Sequence, residues 1–237
     1  RLTAWRRRKP APTSHNPRTL TMMTPLAACV HGVAVGSDLV FLDVSRDTYF
    51  CLAGAAAGGR LSDGGALVDI ADPALGEALR LAGLTGPAAS ARPMAPLADR
   101  ALIGRPGPVS SIDILQGLAM TWATASARRY RAPFADLVGW ARHRPWGPLD
   151  PAAQPCDQAI IVVRRFQARW PWAIGRGQCL HRAFLLLTQL RRAGCDAAWV
   201  FGVRTYPFEA HCWLQIGSTV LDDPLTSLAA YQPLMTA

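Results

Sequence analysis

Three side chains in the C-terminal third of the chain have the types and the order needed for nucleophilic catalysis. They are Cys179, His211 and Asp223, separated by 32 and 12 residues. A thiol is a useful nucleophile only as the thiolate, and a helix N-terminus and a neighbouring imidazolium both lower its pKa. An acidic group beside the imidazole would fix the tautomer and the orientation of the ring. The three residues therefore predict a cysteine nucleophile, a histidine acid and base, and an orienting carboxylate.

Each of these residues also has a purely structural interpretation. Free cysteine is among the most buried residue types and commonly packs as a small hydrophobic side chain. A Cys, a His and an Asp occur in this order in many chains of similar length. The spacing alone leaves both interpretations open, so the sequence around each residue has to decide between them.

The surrounding sequence predicts the elements that would position the three side chains. Cys179 lies at the start of a predicted helix over 178–192, which is apolar on nearly every side and ends at Gly194. Such a helix belongs in the middle of a domain, where its first turn would direct the thiol into a cleft. A strand over 197–204 follows, and the next predicted strand covers 211–216, so that His211 begins it.

Alternation along this last strand separates its two faces. The face that contains Cys212 is apolar, which predicts that Cys212 packs in the core. The opposite face contains His211 and Gln215 and can face the thiol.

The orienting acid follows a further short strand and is one of two neighbours, Asp222 or Asp223. A two-residue hairpin at Gly217-Ser218 would pair Trp213 with Asp222 and place Asp222 on the face of the histidine. A three-residue loop would pair Trp213 with Asp223 instead. The residues alone leave both registers open.

The sequence before these motifs predicts a small β-rich domain over 24–86. Strands are predicted at 28–35, 38–44 and 47–52, and a helix over 73–83 begins after Asp72 as its cap. The size and order of these elements are typical of a winged-helix-like unit.

The remaining segments are assigned by composition and periodicity. Residues 1–23 form a basic tail that is predicted to be disordered, and the first 21 could also be sequence upstream of the true start. Residues 87–108 are rich in Pro, Ala and Gly and are predicted to be a linker. Residues 109–237 combine helices near 110–131, 133–143 and 155–169 with the later strands, so that the chain is of the α+β class.

Composition and charge argue against several other functions. The net charge is +9, but six positive charges lie in the first 18 residues, before any acidic residue. The charge is therefore no argument that the folded part binds nucleic acid. The six cysteines form no Cys-x-x-Cys pair and the histidines do not cluster, which predicts no metal site. No apolar run reaches the roughly 18 residues of a membrane span and no secretory signal is evident, so a cytoplasmic protein is expected.

The residues from Cys179 onward resemble those of the lasso peptide B proteins. The resemblance rests on Cys179-Leu at the helix start, Gly-Val after the first strand, Phe208-Glu-Ala-His-Cys-Trp213 and the acid pair at 222–223. It covers about 110–237. The family has Ala, Glu and Asn where this chain has Cys212, Gln215 and Asp222. The family spacing favours Asp223 as the orienting acid.

The resemblance implies a transglutaminase-like cysteine protease domain that removes the leader from a lasso precursor peptide. It implies no cofactor, and two partners: the precursor and an asparagine-synthetase-like cyclase that closes the ring on the freed N-terminus. An acyltransferase or transglutaminase on the same three residues is the first alternative. A non-catalytic peptide-binding or DNA-binding winged-helix protein is the second.

The resemblance extends more weakly to residues 24–86, which have the size of a fused leader-recognition domain. In that family, the leader adds as a strand beside the third strand and lies against the third helix. The corresponding substrate-binding residues in this chain are Thr48, Tyr49, Phe50, Cys51, Leu75, Leu79 and Leu81. In such strand addition, the backbone supplies affinity and side-chain pockets supply selectivity. The alternative is that Tyr49 and Phe50 are ordinary core and edge residues.

Overall fold

A computed structural model divides the chain into two compact units. Unit 1 comprises residues 1–93 and 203–209, and unit 2 comprises residues 94–202 and 210–237. The first division falls inside the segment predicted as a linker. The structure describes residues 2–4, 22–62, 64–87, 93–102, 111–112, 114–115, 118–119, 132–143, 150–170 and 179–237.

Helices and strands are mixed, and the predicted α+β class is confirmed. The strands are β1 Leu2–Ala4, β2 Met22–Pro25, β3 Val30–Val35, β4 Asp38–Asp43, β5 Thr48–Leu52, β6 Gly59–Leu61, β7 Leu67–Ile70, β8 Arg100–Ala101, β9 Ala198–Thr205, β10 Phe208–Ile216, β11 Thr219–Val220 and β12 Gln232–Thr236. The α-helices are α1 Pro73–Leu81, α2 Phe134–Arg142, α3 Asp157–Arg169, α4 Cys179–Arg192 and α5 Leu225–Leu228.

Unit 1 contains a four-stranded sheet in the order β1-β5-β4-β3 and a three-stranded sheet in the order β2-β7-β6. The predicted hairpin at Gly36-Ser37 is present, because Val35 pairs with Asp38 and Gly36 adopts a φ of +59°. A positive φ at the first turn residue suits the twist of a two-residue hairpin. The core between the elements of this unit includes Phe41, Leu39 and Val68, all fully buried.

Helix α1 begins as the sequence predicts. The Asp72 carboxylate accepts a hydrogen bond from the N–H of Ala74 at 2.9 Å, and Pro73 occupies the first turn. The described residues of unit 1 contain this single α-helix together with a 3₁₀ turn at Ala55–Ala57. The winged-helix arrangement predicted for the unit is therefore not seen in its described part, where strands predominate.

Strand β1 corrects the prediction that residues 1–23 are disordered throughout. Leu2 pairs with Tyr49 and Ala4 pairs with Cys51, in parallel register along the outer edge of β5. A sheet edge presents unpaired N–H and C=O groups that an extended segment can satisfy. The basic composition of the tail gives no sign of this pairing, because it depends on the backbone of β5.

Unit 2 is built on a five-stranded sheet in the order β12-β9-β10-β11-β8. Residues 212–215 of β10 are all buried, so both faces of this central strand are covered. Helix α4 buries Ala183, Leu186, Leu187 and Leu190, and none of residues 179–191 is fully exposed. This enclosure is what the apolar sequence of the helix predicts.

Two predicted features fall partly or wholly outside the described residues. Of the helix predicted near 110–131, only residues 111–112, 114–115 and 118–119 are described, and these are helical. Gln178, the predicted start of α4, is not among the described residues. In the described part of the chain, no helix has both the length and the apolarity needed to cross a membrane.

Candidate active site

The first turn of α4 and the middle of β10 bring Cys179 and His211 together. The hydrogen bond from the Cys212 thiol, the hydrogen bond from His211 and the charge of that ring lower the pKa of Cys179 to about 4, although burial opposes them. Burial also disfavours a charged His211, but its hydrogen bonds with Asp223 and Cys179 outweigh this and raise its pKa to about 9. The thiol therefore ionises before the imidazolium does. Between about pH 4 and pH 9 the pair is a thiolate and an imidazolium.

Asp223 is the carboxylate that contacts the histidine. Its Oδ2 lies 3.0 Å from Nε2 of His211, which leaves Nδ1 as the ring nitrogen available to the thiol. The hydrogen bonds that Asp223 accepts from His211 and Arg182 lower its pKa, against the opposing effect of burial. An ionised carboxylate at this position holds the ring in one orientation and stabilises its charged form.

Arg182 is a residue of the site that the sequence reasoning missed. Its guanidinium donates a hydrogen bond to Oδ2 of Asp223 and lies 3.5 Å from Oδ2 of Asp222. It follows Cys179 by three positions, and residues three apart share one face of a helix. This spacing is the signal in the sequence that could have identified Arg182, because it places a cation on the same helix face as the nucleophile.

Asp222 has a structural contact instead of a contact with the ring. Its Oδ1 accepts a hydrogen bond from the N–H of Leu214 at 2.9 Å. Burial raises the pKa of Asp222 to about 7, although Arg182 favours its charged form.

The hairpin register explains why alternation misleads at these two acids. Ile216 pairs with Thr219, so the turn is the two-residue hairpin, which was predicted to place Asp222 on the histidine's face. Strand β11 ends at Val220, however, and residues 221–223 are bends. Period-two alternation does not extend beyond a strand. Asp223 therefore contacts His211 in the two-residue register, from which strand alternation predicts Asp222.

Cys212 packs in the core as predicted, and it also has a second role that the sequence does not indicate. Its side chain is buried, as predicted, but both its thiol and its N–H hydrogen-bond to the sulfur of Cys179. Burial raises the pKa of Cys212 well above its usual value, so that it remains a thiol and a donor. Strand alternation does not separate Cys212 from the nucleophile, because Cys179 lies beside the backbone of β10 and contacts residues from both faces of the strand.

Two further predictions about β10 are corrected. The strand begins at Phe208, so His211 is its fourth residue and not its first. Gln215 is buried and does not line a cleft: it accepts a hydrogen bond from Nε1 of Trp213 at 2.9 Å and donates to the carbonyls of Pro96 and Gly217. A glutamine suits this position because its amide can donate and accept at once.

Aromatic side chains flank the histidine. The ring centroid of Tyr231 lies 5.4 Å from that of His211, and the centroid of Trp213 lies 6.3 Å from it. Together with Asp223, these rings restrict how the imidazole can turn. In the described part of the chain, no cluster of three or more His, Cys, Asp or Glu side chains is arranged to hold a metal ion.

The predicted leader-contacting residues lie on strand β5, whose outer side pairs with β1, and on helix α1. Thr48, Tyr49, Phe50 and Cys51 lie on β5 and are partly buried. Leu75 and Leu79 belong to the core of unit 1, with 7% and 0% of their surface exposed, which argues against the prediction that they contact a peptide. Leu81 is 72% exposed. The unit's own strands cover Leu75 and Leu79 on the apolar face of α1, whereas Leu81, the last residue of the helix, is accessible.

The low pKa of Cys179 predicts selective alkylation in acid. Its reaction rate with iodoacetamide should change little between pH 8 and pH 6, because the thiol is already ionised at both values. A thiol of ordinary pKa loses about tenfold in thiolate for each pH unit below that pKa. Peptide mapping after brief labelling at pH 6 should find Cys179 modified ahead of Cys51, whose pKa is raised by burial. Preferential labelling of Cys51 would contradict the ion pair.

Comparison with known proteins identifies a superfamily for the C-terminal half of the chain. The family model for the transglutaminase-like superfamily matches residues 118–236, a span that includes Cys179, His211 and Asp223. No curated protein and no solved structure matches the chain.

Proposed function

Because the chain belongs to the transglutaminase-like superfamily, we propose that it is a cysteine peptidase that removes the leader from a lasso peptide precursor. The observation that carries this proposal is the thiolate–imidazolium pair of Cys179 and His211, with Asp223 bound to the ring. The superfamily is compatible with peptidase and with acyltransferase chemistry. The lasso substrate is supported by the resemblance of residues 208–213 and of the acid pair to the lasso B proteins.

The proposed reaction uses only these side chains and water. The Cys179 thiolate attacks the carbonyl carbon of the last leader residue, and the oxyanion accepts hydrogen bonds that include one from the N–H of Cys179 at the helix start. The imidazolium of His211 gives its proton to the leaving amine, which is the N-terminus of the core peptide. Water, deprotonated by His211, then attacks the thioester and releases the leader as a carboxylate. A partner cyclase of the asparagine-synthetase type would use the freed amine.

The acceptor in the second step distinguishes a peptidase from an acyltransferase. The purified chain should convert a precursor peptide into a leader with a free carboxylate and a core with a free amine. In water enriched in heavy oxygen, mass spectrometry should find one heavy oxygen in the leader. If a small primary amine added to the mixture appears on the leader instead, at the expense of hydrolysis, the enzyme is an acyltransferase. An intact precursor after incubation with folded, alkylation-competent protein would contradict both.

Within the same proposal, unit 1 binds the leader as an added strand along Thr48–Cys51 of β5. Residues Leu2–Ala4 already pair with this edge in parallel register, which supports its capacity to accept an extended segment. A leader that uses the same edge has to displace β1. The ring of Tyr49 also packs edge-on against Phe208 at 5.7 Å, both within unit 1, so that Tyr49 has a structural role beside its proposed contact.

Deletion of residues 1–21 should therefore tighten leader binding. The apparent affinity for the leader is proportional to the fraction of molecules in which β1 does not occupy the edge of β5. If β1 occupies that edge nine-tenths of the time, the apparent affinity is roughly tenfold lower than that of the shortened chain. The measurement is fluorescence anisotropy of a labelled leader peptide with the full and the shortened chain. A matched control replaces the basic residues Arg6, Arg7, Arg8 and Lys9 with Gln but keeps Leu2–Ala4, which separates strand competition from charge. Unchanged affinity after the deletion would contradict the proposal that the leader binds along β5.

A further inference from the structure

Two cysteines outside the catalytic site lie close enough to react with each other. The sulfurs of Cys156 and Cys195 are 3.6 Å apart, although the residues are 39 positions apart in the chain. Cys156 is exposed and Cys195 is partly exposed. We propose that Cys156 and Cys195 form a redox-active dithiol that reacts with low-molecular-weight disulfides, such as oxidised glutathione, and closes to an intramolecular disulfide.

The position of Cys156 makes it the attacking thiol. It occupies the N-cap position of α3, a helix of thirteen residues, and its backbone is extended. The N–H of Ala159 and the thiol of Cys195 lower the pKa of Cys156. A thiolate at a helix start and open to solvent has the character of a reactive cysteine.

The backbone of Cys195 is held in place by the end of α4. The N–H of Cys195 donates to the carbonyl of Leu190 at 2.9 Å and the N–H of Gly194 donates to that of Arg191 at 3.1 Å, with Gly194 at a φ of +75°. This is the Schellman pattern of helix termination. The next residue, Asp196, accepts a hydrogen bond from Nε of Arg191 at 3.1 Å. The proximity of the two sulfurs thus arises from two fixed helix ends.

Closure needs only a small movement of the side chains. A disulfide has sulfurs about 2.05 Å apart, so the two atoms must approach by roughly 1.5 Å. Burial raises the pKa of Cys195, and so does its contact with Cys156. Cys195 is therefore the thiol that remains protonated during the first step and resolves the intermediate in the second.

The reaction balances as two thiol–disulfide exchanges. The Cys156 thiolate attacks one sulfur of glutathione disulfide, the bond between the two glutathione sulfurs breaks, and one glutathione leaves as a thiolate. Cys195 then gives its proton to solvent and attacks the sulfur of Cys156, which releases the second glutathione. The protein is oxidised by two electrons, and glutathione disulfide is reduced to two thiols.

The disulfide would join the start of α3 to the segment just after α4, two helices that pack against each other. A cross-link that closes a loop of this length is expected to raise the thermal midpoint by roughly 5–10 °C. Cys179 lies at the opposite end of α4 and should remain free.

The test treats the full chain with glutathione disulfide at pH 7 and follows it by mass spectrometry without reducing agent. The expected product has lost two hydrogens and yields a linked peptide pair containing Cys156 and Cys195, with Cys179 still open to iodoacetamide. Dithiothreitol should reverse the change and lower the thermal midpoint again. Cys156 should react at least about tenfold faster than Cys51, which serves as the matched, partly buried cysteine.

Two serine variants distinguish the steps. Cys195→Ser should stop at a stable glutathione adduct on Cys156, and Cys156→Ser should give no linked product, whereas Cys29→Ser, at a partly buried cysteine outside both sites, should close normally. A link that includes Cys179, or an adduct on Cys156 of the parent chain that never resolves, would overturn the proposal. So would a linked product that forms only after denaturation.

Discussion

Replacement of Cys179 with Ala is expected to abolish leader removal while the chain remains folded. The substitution deletes the nucleophile, and loss of the nucleophile in a comparable relay lowers turnover by about 10⁶-fold. The change in volume is one sulfur atom on a partly buried side chain at the start of α4. Single-turnover cleavage of the precursor, quantified by mass spectrometry, measures the loss. Circular dichroism of the variant checks that the fold is retained.

Cys212→Ala is the matched control, because it removes an equal volume from the neighbouring strand. Burial keeps Cys212 protonated, so it cannot replace the nucleophile, and most of the activity should remain. Its loss removes the thiol hydrogen bond that is the largest single cause of the low pKa of Cys179. The acidic limb of the pH–rate profile should therefore move upward from about pH 4, while the limb near pH 9, set by His211, changes less. Substantial cleavage by Cys179→Ala, or equal loss in both variants, would remove Cys179 from the mechanism.

The second large effect is expected from Asp223→Asn, with Asp222→Asn as its matched partner. Asp223 holds Nε2 of His211 at 3.0 Å, and loss of the orienting carboxylate in an analogous triad lowers turnover by about 10⁴-fold. An amide at 223 would also remove the charge that favours the imidazolium, so the basic limb of the pH–rate profile should move below pH 9.

Asp222→Asn should cost less than about tenfold. Its amide oxygen can still accept the hydrogen bond from Leu214, and Arg182 keeps Asp223 as its ion-pair partner. Burial already weakens the charge at 222 by raising its pKa to about 7. Turnover and the pH–rate profile of the two variants, measured side by side, give the comparison. A larger loss of turnover for Asp222→Asn than for Asp223→Asn would identify Asp222, and not Asp223, as the orienting acid.

The sequence predicts well those features that depend on local chemistry. The cap at Asp72, the hairpin at Gly36-Ser37 and the end of α4 at Gly194 each follow from a few neighbouring residues, and each is present. The order of Cys179 and His211 on a buried helix and a following strand is local information of the same kind.

Features that depend on the backbone of a distant segment could not be predicted. The pairing of Leu2–Ala4 with β5 is set by a free sheet edge and not by the side chains of the tail. The burial of Leu79 depends on the strand residues that pack against α1, such as Phe41 and Val68. The hydrogen bond from Cys212 to Cys179 depends on where the first turn of α4 contacts β10. Neither the helical periodicity of α4 nor the alternation of β10 predicts this contact.

Arg182 and Cys179 lie in the first turn of the same helix. The alignment of the catalytic residues is therefore sensitive to small movements of α4. The nucleophile and the cation that holds its acid are one rigid body, so a small rotation of α4 displaces both ends of the Cys179–His211–Asp223 relay together. The alignment of the three catalytic residues then depends on how α4 packs through its buried residues, such as Leu186 and Leu190. Truncating either leucine leaves a cavity beneath the helix. Truncation of either leucine should consequently lower the catalytic rate before any spectroscopic signal of folding changes.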